Sequence, residues 1–379
     1  VILYFVVLPH YWNWDTHGGR SFSTPERLLT QARMLCMYLW QIVVPLPSHM
    51  PFYYDWVQPS RGLLEPRTTL ASIIALACLM GSAWWLRKRM PLYAFGVLVF
   101  FSAHFITSNV IALELAFEHR NHFALIGAVL AIGSVLTVAF RRLRLRPAFA
   151  AALCICLLAV LASATLVRAH TWSSNLLMSR SAAETAPGSA RAWTQLCAKY
   201  FEVGGGPVKN NRLLNKAIEA CSAGAANVPG SLNSPALLIV LKSLRGDIDA
   251  RDWTQFRERM RLADESGDNY RAPSLLTYYA RQGITMDKSE LLKVFATQDQ
   301  ALKLKSRELA FIGYFIMMDL AEPDLAMPYL IKAIDASPPE SRWPLELAAE
   351  LRANGRADLA DRLEQYAAQT QRAARVAVP

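Results

Sequence analysis

Long apolar runs alternate with short polar connections over the first 167 residues of the chain. The apolar runs cover residues 69–86, 91–113, 122–140 and 147–167. At about 1.5 Å of rise per helical residue, each run is long enough, or nearly so, to cross the hydrocarbon core of a bilayer. The pattern therefore predicts four membrane-spanning helices in this half of the chain.

Two segments before these runs give weaker signals. The opening apolar run, residues 1–9, has half the length of a span and no basic flank, so we expect the sequence to be part of a longer protein. Gly18-Gly19 predicts a turn, and Thr24-Pro25-Glu26 predicts the start of a helix that continues to Pro45. Because polar residues fall on more than one face of this helix, we favour an interfacial or re-entrant helix over a full span.

Beyond residue 168 the pattern becomes that of water-soluble helices, and it contains a tetratricopeptide-like spacing. The first unit contains Trp193, Leu196, Cys197, Tyr200, Ala217, Cys221 and Pro229. The second contains Leu309, Ile312, Gly313, Ile316, Ala326, Leu330 and Ala333, and the third contains Ala348, Ala360 and Ala367. Each helix pair leaves an apolar face that only a neighbour can cover, which favours one stacked superhelix.

The predicted fold class is therefore all-α: a polytopic transmembrane helical domain followed by an α-solenoid of tetratricopeptide-like repeats. The predicted domains are 1–167, the transmembrane domain, and 187–379, the repeats, joined by a linker and short helix at 168–186. A solenoid of this kind usually offers a concave surface to a protein or peptide partner, and the alternative is a spacer without a ligand.

Charge adds an orientation to this picture. The chain is 53% hydrophobic with a formal net charge of +10, and most of that excess belongs to residues 1–167. Its densest clusters, residues 87–89 and 141–146, lie in two short connections that fall on one side by parity. The positive-inside rule makes these connections cytoplasmic and places the repeats outside, whereas a nucleic-acid partner is not expected.

Two polar segments would then share the opposite side of the membrane. Glu114, Glu118, His119, Arg120 and His122 lie between the second and third apolar runs. The second segment is a proline- and aromatic-rich loop, residues 45–67, which contains Tyr54, Asp55, Arg61 and Arg67. Charged groups near hydrocarbon pair with one another or serve transport or chemistry, and the alternative is a solvated loop with an aromatic anchor at the headgroups.

The six cysteines divide by location. Cys36, Cys78, Cys154 and Cys156 lie in apolar segments, where free cysteine behaves as a small core residue. Cys197 and Cys221 fall on the paired helices of the first repeat, in a compartment expected to be outside the cytoplasm, and are candidates for a disulfide. No spacing predicts a metal site.

The sequence also resembles a known family. Glu118-His119-Arg120 after a long span, the loop ending in Tyr54-Asp55-Trp56, and a repeat tail introduced by Arg168 and Pro187 resemble the C-terminal part of a membrane glycosyltransferase. The family is that of protein O-mannosyltransferase-like proteins with transmembrane segments and tetratricopeptide repeats, which use polyprenyl-phosphate sugars. The resemblance covers most of the chain, although residues 122–125 read His-Phe-Ala-Leu where the family has a run like Tyr-Leu-Pro-Ser.

The resemblance implies transfer of a sugar from a lipid-phosphate donor to a protein or glycan hydroxyl at the outer face, in a bacterial inner membrane. Arg120 with His119 is the candidate for the phosphate side, because a guanidinium fork suits phosphate oxygens. Glu118 would orient Arg120, and Arg61 or Arg67 would assist. Glu114 and Tyr54 are further substrate-binding candidates, and Asp55 is a candidate for contact with the acceptor or with a divalent cation.

Family members carry the catalytic acidic residue in a first outer loop that has no counterpart here, so we expect it in the missing N-terminal part. Two other functions stay open. One is a non-enzymatic, membrane-anchored scaffold whose repeats recruit partners for an envelope complex. The other is a lipid-linked glycan polymerase or ligase. In every case we expect membrane lipid as a partner.

Overall fold

The structure is a computed structural model, and it describes residues 11, 12, 14, 22–105, 107–111, 113–338 and 341–376. Over these residues the regular structure is helical, without a strand. The chain forms two compact units, Val1–Lys199 and Tyr200–Pro379, which are described separately below. The opening apolar run and the Gly18-Gly19 turn lie outside the described residues.

The first unit contains six helices in the described part of the chain, followed by the start of a seventh. They are α1 (Thr24–Val43), α2 (Thr68–Leu86), α3 (Pro91–His104), α4 (Asn121–Arg142), α5 (Pro147–Thr171), α6 (Asn175–Thr185) and α7 (Ala190–Val203). Short 3-10 turns occur at Pro47–His49 and Glu118–Arg120. The first unit ends after Lys199, and Ser189 and Arg191 bond to loops within it. The domain bounds expected from the sequence stay a prediction.

Among the described residues, three stretches are long and apolar enough to cross a membrane: α2, Glu118–Arg142 (the second 3-10 turn with α4), and α5. The remaining expected span, residues 91–113, is shorter than predicted, because α3 ends at His104. Its 14 residues would rise only about 21 Å. Segment 105–117, the chain between His104 and the second 3-10 turn, leaves the helix because side chains of α1 bind its carbonyl groups.

Helices α3 and α4 pack antiparallel at very short range. Gly96 faces Gly127 and Ala131 halfway along, and His104 Nε2 lies 3.2 Å from Asn121 Oδ1 where α3 ends and α4 begins. Small residues permit this approach of two backbones, as is usual between membrane helices. The antiparallel packing puts the two basic connections, 87–89 and 141–146, at the same end of the pair, which we call the basic end.

Helix α1 begins at Thr24, as predicted, where Ser23 and Glu26 form a reciprocal capping box. Its buried side chains are mostly polar and are Thr24, Arg27, Thr30, Gln31, Met34, Tyr38 and Gln41. Its exposed side chains include Leu28, Trp40 and Val43. The helix is therefore amphipathic in the reverse sense of a helix on a water-soluble protein, which buries its apolar stripe.

The second unit consists of α8 (Leu214–Asn227), α9 (Asn233–Arg245), α10 (Ala250–Leu262), α11 (Gly267–Arg271), α12 (Ser274–Arg281), α13 (Lys288–Ala301), α14 (Ser306–Met318), α15 (Pro323–Asp335), α16 (Trp343–Ala353) and α17 (Ala357–Val376). Neighbours pack in pairs, α8 with α9, α14 with α15 and α16 with α17. Most residues expected in the second and third repeats are buried, among them Leu330, Ala348, Ala360 and Ala367. Such pairs are what a helical-repeat array needs, and the tetratricopeptide solenoid itself stays a prediction.

Candidate functional site

The candidate residues gather at the end of the first unit where α3 ends and α4 begins. We call this the polar end and define it as residues 45–67, 105–122 and 168–191 together with the buried face of α1. It lies opposite the basic end, because α3 and α4 run antiparallel. The packing of these two helices therefore puts the basic connections at one end and the polar segments at the other, as the sequence predicts.

The centre of the polar end is Arg27, whose side chain is fully buried. Its Nη2 donates to the carbonyl of Thr107 at 2.8 Å, its Nε to that of Asn109 at 2.9 Å, and its Nη1 to that of Leu113 at 2.6 Å. One planar group with several donors suits several acceptors in fixed positions. Arg27 therefore takes the place of the helical hydrogen bonds that segment 105–117 lacks.

Two further residues of α1 continue this support. Gln31 Nε2 donates to the Leu115 carbonyl at 2.9 Å, and the Tyr38 hydroxyl accepts from the Phe117 amide at 2.8 Å. The Tyr38 ring also stacks on His104, with centroids 5.1 Å apart. The described residues of this segment therefore bind α1 at several points, and such support is what irregular backbone needs at membrane depth.

Arg120 is half-buried and bound to this same segment. Its Nη1 donates to the carbonyl of Glu114 at 2.7 Å and lies 3.4 Å from that of Leu115. The guanidinium also faces the ring of Phe117, 5.4 Å from its centroid. His119, beside it in the 3-10 turn, is exposed and stacks on Phe117. Arg120 is therefore fixed in direction by backbone carbonyls.

Glu118 forms an ion pair with Arg168 in the last turn of α5, and its expected role in orienting Arg120 stays a prediction. The Arg168 guanidinium lies 3.8 Å from the centre of the Phe52 ring, and its side chain is 13% exposed. This contact joins loop 45–67, the 3-10 turn and the end of the last span. A cation held between a carboxylate and an aromatic face is favourable when water is largely excluded.

Asp55 and Glu114 bind the chain at the start of α7. Asp55 Oδ1 accepts from the Ser189 hydroxyl at 2.5 Å, and its Oδ2 accepts from the Arg191 amide at 3.1 Å. Ser189 itself caps the helix by accepting from the Ala192 amide at 3.0 Å. A carboxylate at a helix N-terminus meets the positive end of the helix dipole. Glu114 pairs with the Arg191 side chain through two contacts of 3.2 and 3.4 Å.

The other candidates of loop 45–67 are Tyr54, Arg61 and Arg67. Tyr54 is buried, and its hydroxyl accepts from Gln41 Nε2 at 3.0 Å. Burial raises the pKa of Tyr54 to about 12, so its phenol stays protonated at neutral pH. Arg61 pairs with Glu26 at 2.6 Å, and Arg67 is exposed just before α2.

Sequence reasoning missed Arg27, Arg168 and Arg191, which hold most of the polar end together. The sequence marks Arg168 only as part of the stretch that introduces the repeats, and it marks no role for Arg27. The partners of these arginines are distant in sequence, and some are backbone carbonyls, so no motif spacing predicts the contacts. The one available signal was that a basic residue near apolar sequence needs a partner.

The two cysteines expected to pair, Cys197 and Cys221, are disulfide-bonded, while Cys36, Cys78, Cys154 and Cys156 are free thiols. In the described part of the chain, no three His, Cys, Asp or Glu side chains come together as a metal site. The polar end contains a set of fixed guanidinium groups and partnered carboxylates.

In the part of the chain that the structure describes, these features define an all-helical protein with three helices able to cross a membrane and a charged, hydrogen-bonded surface at one end of them. Comparison with protein-family models, with curated proteins and with solved structures finds no match for this chain.

Proposed function

We propose that this chain is the C-terminal part of a membrane glycosyltransferase that moves a sugar from a lipid-phosphate donor to a hydroxyl of a protein or glycan. In such a reaction a carboxylate takes the proton of the acceptor hydroxyl, whose oxygen attacks the sugar while the bond to the carrier phosphate breaks. Cations stabilise the departing phosphate. The family resemblance places the proton-accepting carboxylate in another part of the full-length protein.

One observation carries this proposal, namely the non-helical segment 105–117 beside the ends of apolar helices. Irregular backbone at this depth is costly unless protein supports it, and charged groups there usually serve transport or chemistry. Here Arg27 supports the segment from within, and Arg120 is fixed against its carbonyls. The carrier phosphate would approach Arg120 and His119 from the bilayer and compete with the Glu114 carbonyl for the guanidinium.

The direct test replaces Arg120 in the full-length protein. We expect Arg120→Ala to abolish transfer and Arg120→Lys to recover little of it, because an ammonium cannot reproduce a planar two-pronged contact with phosphate. Arg89→Ala, an exposed arginine at the basic end, is the matched control and should transfer normally. Activity is measured per folded, membrane-inserted molecule, and near-normal transfer by Arg120→Ala would remove this site.

A specific observation also favours the second candidate function, the membrane-anchored scaffold. Asp55, Glu114 and Glu118 each bind a residue of the stretch 168–191, which leads from the last span into α7. Carboxylates used in this way anchor the start of a helical domain to a membrane unit. If this is their role, neutralising them would lower the amount of folded protein, and no variant would change a transfer activity, because a non-enzymatic scaffold has none.

The proposed orientation puts the basic end in the cytoplasm and the polar end outside, in a bacterial inner membrane. The basis is the clustering of arginine in residues 87–89 and 141–146, which the positive-inside rule assigns to cytoplasmic connections. Reporter fusions at Arg144 and Thr370 should report opposite sides of the membrane. Fusions that report the same side would contradict the topology.

A further inference from the structure

We propose that Arg27 is the positioning residue of the polar end: its guanidinium gives segment 105–117 its shape and thereby places Glu114 and Arg120. The placement of the segment stands without any reaction, whereas the effect on transfer rests on the proposed function. No residue of α1 belongs to the site expected from the sequence, so this role is additional to it.

The Arg27 guanidinium reaches several carbonyl groups of the segment. Its three nitrogen atoms donate to the carbonyls of Thr107, Asn109 and Leu113 at 2.6–2.9 Å, and Nη1 also lies 3.5 Å from the Glu114 carbonyl. These acceptors belong to residues that are not in a helix. Without Arg27 these carbonyls would have no helical partner, and an unpaired carbonyl in a partly buried position is destabilising.

The Glu114 backbone links Arg27 to the candidate site. The Glu114 carbonyl lies within reach of two guanidinium groups, 3.5 Å from Arg27 Nη1 and 2.7 Å from Arg120 Nη1. The side chain of the same residue pairs with Arg191. A displacement of this short stretch therefore moves the carboxylate of Glu114 and the anchor of Arg120 together.

This arrangement needs the shape of arginine as well as its charge. The acceptors are arranged around a planar fork, whereas a lysine places its three donors on one nitrogen atom. Arg27→Lys keeps the positive charge and most of the buried volume, but it cannot bridge carbonyls from residue 107 to residue 113. The chain offers a matched control on the same helix, because Arg33 Nη1 donates to the Gln58 carbonyl at 2.8 Å and so supports a different loop.

The experiment measures the exposure of segment 105–117 in the membrane-inserted, full-length protein. The reporter is Val110→Cys, at a position that is 4% exposed and lies between two of the bound carbonyls. A membrane-impermeant maleimide should label it at least about ten times faster in Arg27→Lys, because local opening sets the rate at a buried thiol. Arg33→Lys should leave that rate unchanged, and Thr68→Cys, at an exposed position, should label equally in all backgrounds.

Transfer is measured on the same preparations as kcat and KM per folded molecule. A shift in the placement of Arg120 predicts a fall in kcat of about tenfold or more, because misplacement by about 1 Å is costly to catalysis. Faster labelling with unchanged transfer would support the role of Arg27 and would contradict the proposed function. Unchanged labelling of Val110→Cys in Arg27→Lys would overturn the inference. Loss of all folded protein in Arg27→Lys, with Arg33→Lys intact, would assign Arg27 to folding and overturn it as well.

Discussion

Two helix pairs, one in each unit, are both closed through a glycine, and they differ in what the glycine meets. Between α3 and α4, a Cβ on Gly127 would lie 2.4 Å from the Gly96 carbonyl oxygen and 2.7 Å from the Phe100 amide nitrogen. Between α14 and α15, a Cβ on Gly313 would lie 2.7 Å from two side-chain carbons of Leu330. The first contact is backbone against backbone, and the second is backbone against a side chain.

The difference follows from what drives each pair together. In water, burying apolar side chains such as Leu309, Ile312 and Leu330 supplies the driving force, so side chains fill the interface between α14 and α15. In hydrocarbon that force is absent, and close packing of backbones takes its place. Helix α1 shows the same inversion, because it buries Arg27 and Gln31 while it exposes Trp40 and Val43.

The largest effect is expected from Gly127→Ala. The added methyl group meets two backbone atoms of α3 at less than 3 Å, and a helix backbone can yield only by moving the whole helix. The cost should reach or exceed the upper end of the about 1–3 kcal/mol typical of overpacking. We expect a large fall in the folded fraction after extraction, measured by the thermal unfolding midpoint in detergent.

Gly133→Ala is the matched control on the same helix. No atom lies within 4 Å of a Cβ placed there, so only the helix propensity changes. Alanine is favoured over glycine within a helix by about 1 kcal/mol, and this variant should be neutral or slightly more stable. If Gly133→Ala were as damaging as Gly127→Ala, the close contact with Gly96 would not be the cause.

Much of the helical layout could be predicted from the sequence, because apolar runs are long and punctuated. The starts of α1 and α3 fall where the capping residues and Pro91 put them, and α2, α4 and α5 extend the expected spans by a few residues at most. The end of α3 could not be predicted in the same way. Residues 105–113 continue an apolar run, and only their distant contact with Arg27 shows why the helix stops.

In the candidate site, too, local sequence pattern predicts some features and misses those that depend on distant contacts. Charged residues near apolar runs were found from local pattern, which singled out Glu114, Glu118 and Arg120 as candidates. Their partners were not found, because Arg168 and Arg191 lie 50 and 77 positions from the carboxylates that they bind. Local periodicity carries no information about pairs at such separations, and loop 105–117 could be folded in many ways before its partners are known.

The smaller effect, and the sharper test of the comparison, is expected from Gly313→Ala. Its methyl group would meet the end of the Leu330 side chain, which can change rotamer, and the Ala326 carbonyl at 3.3 Å, which is tight but tolerable. Leu330 is fully buried, so its movement disturbs the core, and we expect a loss of about 1–2 kcal/mol that is partly offset by the better helix propensity of alanine. Amide hydrogen exchange in the full-length protein should show faster exchange in α14 and α15, with the amides of α4 unaffected.

The double variant Gly313→Ala with Leu330→Val should recover part of the protection, because the shorter side chain makes room for the methyl group. A fall in stability as large as that of Gly127→Ala, without recovery in the double variant, would show that the Ala326 backbone and not the Leu330 side chain closes this pair, and the contrast between the two interfaces would be lost.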